Sequence, residues 1–141
     1  MKKVICICGY KNTGKTTLIQ KLIVSLYKKG IEVSVIKHDG HLFDTPHSDT
    51  DQYHHSGSDD IAIFDANKTM YIQYKKTNIE TIIYSMKHEF VLIEGLKNSN
   101  YPKLYIKDGF VYPSYENTIY HRDDIDSIVN SIMKFTKNLK I

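Results

Sequence analysis

Apolar runs and helical stripes alternate along this chain, and the first three set its pattern. Lys3 to Cys8 is apolar on both faces, as expected of a parallel strand covered from both sides. Gly14 to Lys29 carries Leu18, Leu22 and Leu26 with Ile19 and Ile23 beside them. That is an apolar stripe at helical spacing, and Gly30 stands where a C-terminal cap belongs. Ile31 to Lys37 returns to a strand pattern. Strand, helix, strand predicts a βαβ unit, which implies a parallel pair with a right-handed crossover.

From His38 to Ser58 the chain turns polar, with a short helix expected at Asp49 to His55. Ile61 to Phe64 and Met70 to Tyr74 flank Asp65-Ala66-Asn67-Lys68, which predicts an antiparallel hairpin. Thr77-x-x-Glu80 is a capping box opening a helix whose core face is Ile79, Ile82, Ile83 and Met86. Phe90 to Ile93 is a further apolar strand, ended by Glu94-Gly95. Leu104 to Ile106 is another, with Asp108-Gly109 as a turn. Asp123 or Asp124 caps a last helix along Ile125, Ile128, Val129, Ile132 and Met133. No repeat and no dividing linker interrupts this order, so residues 1–141 read as one α/β domain.

Composition changes little in that picture. At 141 residues, 41% hydrophobic and 25% charged, the chain is an ordinary globular one. Its net charge of +3 helps attract phosphates but leaves no nucleic-acid footprint. No run of about 18 apolar residues suggests a membrane span. Val4 to Cys8 is too short for a signal segment, so a cytoplasmic protein is expected. Cys6 and Cys8 stand two apart on one strand face, without ligands at chelating distance, and read as buried core thiols.

The strongest chemistry lies between the first strand and the first helix. Gly9-Tyr10-Lys11-Asn12-Thr13-Gly14-Lys15-Thr16 fits G-x-x-x-x-G-K-[ST] at every fixed position. Gly9 and Gly14 let the backbone curl so that successive N–H groups form an anion nest, to which the helix N-terminus adds its dipole. Lys15 supplies an ammonium for the outer phosphates, the Thr16 hydroxyl a ligand for Mg²⁺, and Thr17 a contact to an inner phosphate. The nucleotide set is therefore Gly9, Asn12, Thr13, Gly14, Lys15, Thr16 and Thr17, on a three-layer P-loop NTPase fold. That fold has a mostly parallel sheet, an antiparallel hairpin and helices on both faces.

Glu94 ends an apolar strand, where a carboxylate can hold Mg²⁺ or orient an attacking water. His38, His41, His47, His54 and His55 crowd one segment with Asp39, Asp44, Asp49 and Asp51. His38-x-x-His41 has the spacing to chelate a transition metal, and a nucleotide-responsive switch or a plain surface loop fits the same composition. Within it Asp49 is singled out as a carboxylate for the Mg²⁺ or its water.

The chain resembles the MobB family, adapter proteins of molybdopterin-guanine dinucleotide biosynthesis. The resemblance rests on Gly9 to Leu18, Val35-Ile36-Lys37-His38, Asp49-Thr50, Ser56-Gly57-Ser58, Leu92-Ile93-Glu94-Gly95-Leu96-Lys97 and Pro102-Lys103. It implies a homodimer that binds GTP with Mg²⁺, hydrolyses it weakly and assists the guanylyltransferase MobA in joining GMP to molybdopterin. Carried over by position, Lys15, Asp49 and Glu94 would serve catalysis, and Thr16, Asp49 and Glu94 the metal. One departure stands out. The family carries a strand ending in Ser/Thr-Asp before the last helix, whereas Gly109 to Arg122 here is short, rich in Tyr (Tyr112, Tyr115, Tyr120) and expected to hold no such strand. Asn67-Lys68-Thr69-Met70 also lacks the Asp of a guanine-reading Asn-Lys-x-Asp.

Two rival readings remain beside the GTP-binding adapter. One is a GTP-driven metallochaperone using the His and Asp segment. The other is a small P-loop kinase or ATPase, against which the chain's single arginine, Arg122, counts.

Overall fold

The computed structural model describes residues 1–39 and 48–137. Its contacts divide the chain into two compact units, Met1–His38 with Ile82–Ile141, and Asp39–Thr81.

In the larger unit, β1 (Lys3–Cys8) leads into α1 (Lys15–Lys28) and β2 (Val33–Lys37). After the second unit come β5 (Phe90–Glu94), β6 (Lys103–Lys107), β7 (Phe110–Pro113), β8 (Tyr120–His121) and α4 (Ile125–Thr136). Six strands form one sheet in the order β2-β5-β1-β6-β7-β8, parallel from β2 to β6 and antiparallel thereafter.

The crossover from β1 to β2 is therefore not between neighbours, and the expected pair is corrected: β5 lies between them. The burial patterns give the reason. Phe90 to Ile93 are buried on both faces, which a strand hydrogen-bonded on both sides and covered above and below can satisfy. In β2 buried and open residues alternate, Ser34 and Ile36 against exposed Val35 and Lys37, which suits a sheet edge.

One layer of core is built by α1 and α4, which pack side by side on the face carrying Ile5, Ile7, Leu92, Leu104, Ile106 and Val111. Leu18, Leu22 and Leu26 of α1 and Ile128, Val129 and Ile132 of α4 fill it, as their spacing requires. Asp124 caps α4 by accepting from the Ser127 amide at 3.3 Å. On the opposite face Val4, Cys6, Cys8, Val91 and Ile93 are buried as well. Burial pushes the Cys6 thiol up to about 11.

Two short strands occupy Gly109 to Arg122, although neither ends in the Ser/Thr-Asp of the family pattern. Asp108 (φ 52) and Gly109 (φ 82) both adopt left-handed backbone, the requirement of a type I′ hairpin turn, and so fold β7 back on β6. The segment between β7 and β8 is tied to α4 by one carboxylate. Glu116 Oε1 accepts from Tyr120 Oη at 2.6 Å and from Ser131 Oγ at 2.7 Å. Tyr115 stacks on Phe135 with ring centroids 4.0 Å apart. Both tyrosines serve packing.

The second unit holds α2 (Ser48–His55) and the hairpin of β3 (Asp60–Phe64) with β4 (Thr69–Gln73). The two strands pair antiparallel as a separate sheet, as the alternation predicts. Asp65 organises the turn, accepting from the Asn67 and Lys68 amides. His54 of α2 stacks flat on Tyr74 at 3.5 Å. A short α3 (Ile79–Ser85) follows, buried at Ile83. Asn78, rather than Thr77, receives the Thr81 amide (2.9 Å) and hydroxyl (2.7 Å). Its amide oxygen stands one residue nearer the helix, within reach of the third amide that an N-cap must satisfy.

Candidate functional site

The ends of the parallel strands and the N-terminus of α1 meet at one edge of the sheet, and the phosphate loop lies there. Asn12 (φ 63) and Gly14 (φ 94) are left-handed, so the loop closes as a curl that turns its amides to one side. Thr13 Oγ1 clasps the curl by donating to the Tyr10 carbonyl at 2.6 Å. Lys15 folds back and donates to the Gly9 carbonyl at 3.0 Å. The first turn of α1 holds no acidic residue, which leaves its positive end uncompensated. Thr16 and Thr17 are exposed.

Gly9 has a packing reason to be glycine. A Cβ there would stand 2.7 Å from the Ile106 carbonyl oxygen and 2.8 Å from Thr13 Oγ1. The loop begins pressed against β6.

Glu94 ends β5 at the same edge, in register with Ile7 of β1 and Lys37 of β2. The Gly95 amide donates to the Ile7 carbonyl at 3.0 Å and Cys8 Sγ donates to the Gly95 carbonyl at 3.3 Å. The chain after Glu94 therefore runs alongside the strand that enters the phosphate loop. Burial raises the Cys8 thiol, while the ammonium groups of Lys103, Lys15 and Lys97 oppose that rise.

Beside the loop, on the α1 side, opens a recess of about 190 Å³. Gly14, Thr17, Leu18, Ile106, Arg122 and Asp123 are among its walls. Arg122 Nη1 lies 3.9 Å from the point where a Gly14 Cβ would stand. Asp123 faces Lys21 of α1 at 3.5 Å and His121 Nδ1 at 3.7 Å. The Arg122 amide bonds the Gly109 carbonyl at 2.9 Å, which anchors this corner to the β6–β7 turn.

The profile of the family described as "MobB: Molybdopterin guanine dinucleotide synthesis protein B" matches residues 4–129. The chain belongs to the MobB family. A "Probable molybdopterin-guanine dinucleotide biosynthesis adapter protein" of Bacillus subtilis is 28% identical over 73% of this chain and 64% of its own length. A putative adapter protein of the same pathway from Methanocaldococcus jannaschii is 32% identical over 76% of this chain and 49% of its own. The chain thus spans about half to two thirds of the curated relatives it matches. The crystal structure of Bacillus subtilis MobB superposes with a TM-score of 0.65 at 26% identity, over 75% of this chain and 68% of that one. This MobB chain has the P-loop NTPase fold.

The structure brings Gly9, Asn12, Thr13, Gly14, Lys15, Thr16, Thr17 and Glu94 to one sheet edge of the larger unit. Asp49 lies on α2 of the second unit, exposed to solvent. His41, Asp44 and His47 fall outside the described residues. Among the described residues no three His, Cys, Asp or Glu side chains gather as a metal cluster. No described helix is long and apolar enough to cross a membrane. Arg122 and Asp123, which in the sequence read only as a lone arginine and a helix cap, stand beside the phosphate loop in the structure.

Proposed function

We propose that this MobB chain is a GTP-binding adapter of molybdopterin-guanine dinucleotide biosynthesis. The observation that carries the reading is the curled loop from Gly9 to Thr16, with Lys15 folded over it and an acid-free helix end behind it. Such a nest favours a triphosphate because amides, dipole and ammonium all point positive charge at one volume. Thr16 and Glu94 offer hard oxygen donors that suit Mg²⁺. When bound, the ion would neutralise charge between the outer phosphates.

The nucleoside end would lie along the open recess beside Gly14 and Thr17. Arg122 would meet the inner phosphate. Asp123 accepts hydrogen bonds, and guanine presents two adjacent donors at N1 and N2 where adenine has none. Leu18 and Ile106 supply the apolar wall. GTP is accordingly the expected ligand.

Hydrolysis, where it occurs, is slow in-line attack of water on the γ-phosphate. Glu94 would orient the water, while the loop amides and Lys15 stabilise the developing charge. The working assembly is a homodimer that presents GTP to the guanylyltransferase MobA, which joins GMP to molybdopterin. Titration of the purified protein with GTP and ATP in Mg²⁺ tests this directly. GTP should bind more tightly, and Lys15→Ala should weaken it roughly tenfold to a hundredfold, the cost of a lost charged hydrogen bond. Equal affinity for both nucleotides overturns the guanine reading, and unchanged GTP affinity in Lys15→Ala overturns the site.

A further inference from the structure

The residue that ends β8 acts on the recess beside Gly14 without lining it. His121 stands directly opposite Phe110 of β7, and its ring meets that ring edge-on at 5.6 Å and 83°. His121 Nδ1 accepts the Asp123 amide at 3.1 Å. A ring nitrogen that accepts carries no proton, so this bond requires the neutral imidazole with its proton on Nε2. The Asp124 amide donates to the His121 carbonyl at 3.0 Å, which closes a turn holding Arg122 and Asp123 between β8 and α4. The imidazole therefore fixes the backbone from which the Asp123 carboxylate projects.

That carboxylate is shared between two neighbours. Oδ1 faces Lys21 Nζ of α1 at 3.5 Å, and Oδ2 faces His121 Nδ1 at 3.7 Å. While the ring is neutral, Nδ1 has no proton to offer, and Oδ2 stays open to donors from a ligand. Protonation reverses both relations. Nδ1 becomes a donor, the Asp123 amide loses its acceptor, and a charged N–H stands within ion-pair distance of Oδ2. The other ionisable groups of this corner lie apart from that pair. Arg122 Nη1 is 3.9 Å from the point where a Gly14 Cβ would stand, and Asp124 accepts the Ser127 amide. Tyr120, the other residue of β8, donates to Glu116, and Asp126 of α4 shares a separate groove with Lys21. Imidazole is the side chain that changes charge between about pH 5 and 8.

We propose that His121 is a positioning residue for base discrimination, holding Asp123 by its amide when neutral and taking Asp123 Oδ2 for itself when protonated. The proposal rests on the reading that Asp123 receives the N1 and N2 donors of guanine. Two adjacent donors need both carboxylate oxygens, so the loss of one to the imidazolium falls on guanine and not on adenine. His121 touches no part of the nucleotide in this scheme. It works through Asp123 and makes the preference for GTP depend on pH.

The test is the ratio of GTP to ATP affinity of the intact protein in Mg²⁺, measured at about pH 8 and about pH 5.5. A ratio cancels whatever the shared triphosphate does with pH. In the wild-type protein it should narrow roughly 2- to 5-fold at the lower pH, the effect of one exposed ion pair. His121→Asn keeps an acceptor for the amide two residues on and never takes a charge. Its ratio should match wild type at the higher pH and stay there at the lower. His121→Leu keeps an apolar side chain against Phe110 without an acceptor, and its ratio should be low at both. A flat wild-type ratio overturns the proposal, as does the same narrowing in His121→Asn. Asp123→Asn separates this failure from that of the guanine reading. If it leaves the ratio unchanged, the base contact falls and the proposal with it. If it narrows the ratio while pH and the His121 variants do not, the guanine reading stands and the role of His121 falls alone.

Discussion

Replacing Gly9 by alanine adds one methyl group, and the structure says where it goes. The new carbon would lie 2.7 Å from the Ile106 carbonyl oxygen and 2.8 Å from both Ile106 Cγ2 and Thr13 Oγ1. None of the three can yield easily. Ile106 is buried at 2% exposure on β6, and its carbonyl belongs to the strand backbone. Thr13 Oγ1 is committed to the Tyr10 carbonyl at 2.6 Å. Relief therefore needs β6 and the start of the loop to part by several tenths of an ångström. Such overpacking costs about 1–3 kcal/mol. For a chain of this size that is a fall in Tm of about 3–10 °C. Because the methyl group sits at the mouth of the nest, GTP affinity should fall with stability. Gly109→Ala is the control, since nothing lies within 4 Å of its Cβ and only its left-handed backbone (φ 82) is strained. It should cost about 1–2 kcal/mol without obstructing the mouth of the nest. Urea unfolding followed by circular dichroism, with a nucleotide titration of each variant, reads both quantities. A Gly9→Ala protein with wild-type unfolding midpoint and wild-type affinity would refute the close approach of loop and strand.

Leu26→Ala, at a fully buried position of α1, should lose about 2–5 kcal/mol; a loss under about 1 kcal/mol in urea titrations would mean the site collapses around the cavity. Arg122→Ala should weaken GTP roughly tenfold or more, whereas Asp123→Asn should narrow the preference for GTP over ATP; equal effects on both nucleotides would count against Asp123 as the base contact. Burial raises the Cys6 thiol from 9.0 to about 11 and the Tyr115 hydroxyl from 10.0 to about 12. Since both folded values lie above the unfolded ones, the protonated forms stabilise the fold fully below about pH 9, and that stability is lost as pH rises to 11 for Cys6 and from 10 to 12 for Tyr115. Urea midpoints should therefore drop above about pH 9, and Cys6→Val should make the drop shallower, with Cys8 and Tyr115 keeping the rest of it; a flat profile to about pH 11 contradicts this.

Local patterns were legible wherever one segment meets its own needs. The stripe of Leu18, Leu22 and Leu26 announced α1, and alternation around Asp65 announced the β3–β4 hairpin. The signal for β7 is weaker. Asp108-Gly109 marks a turn, but the strand after it is four residues long, with Val111 and Pro113 buried and Phe110 and Tyr112 exposed. So short an alternation is ambiguous by itself, and pairing with β6 is what completes it.

The residues of the phosphate half needed no tertiary information. Gly9, Gly14, Lys15 and Thr16 are close in sequence, and a loop between a buried strand and an amphipathic helix brings them together by local geometry alone. The recess beside Gly14 is different. Gly14 and Thr17 come from the start of α1, Ile106 from β6, and Arg122 and Asp123 from the turn before α4. They meet only because β6 pairs beside β1 and the β6–β7–β8 meander returns the chain to the N-terminus of α1. No short-range pattern encodes that return, since it depends on which strands pair across long stretches of intervening chain. Where phosphate can be held is written in a few consecutive residues; what stands beside it follows from the order of the sheet.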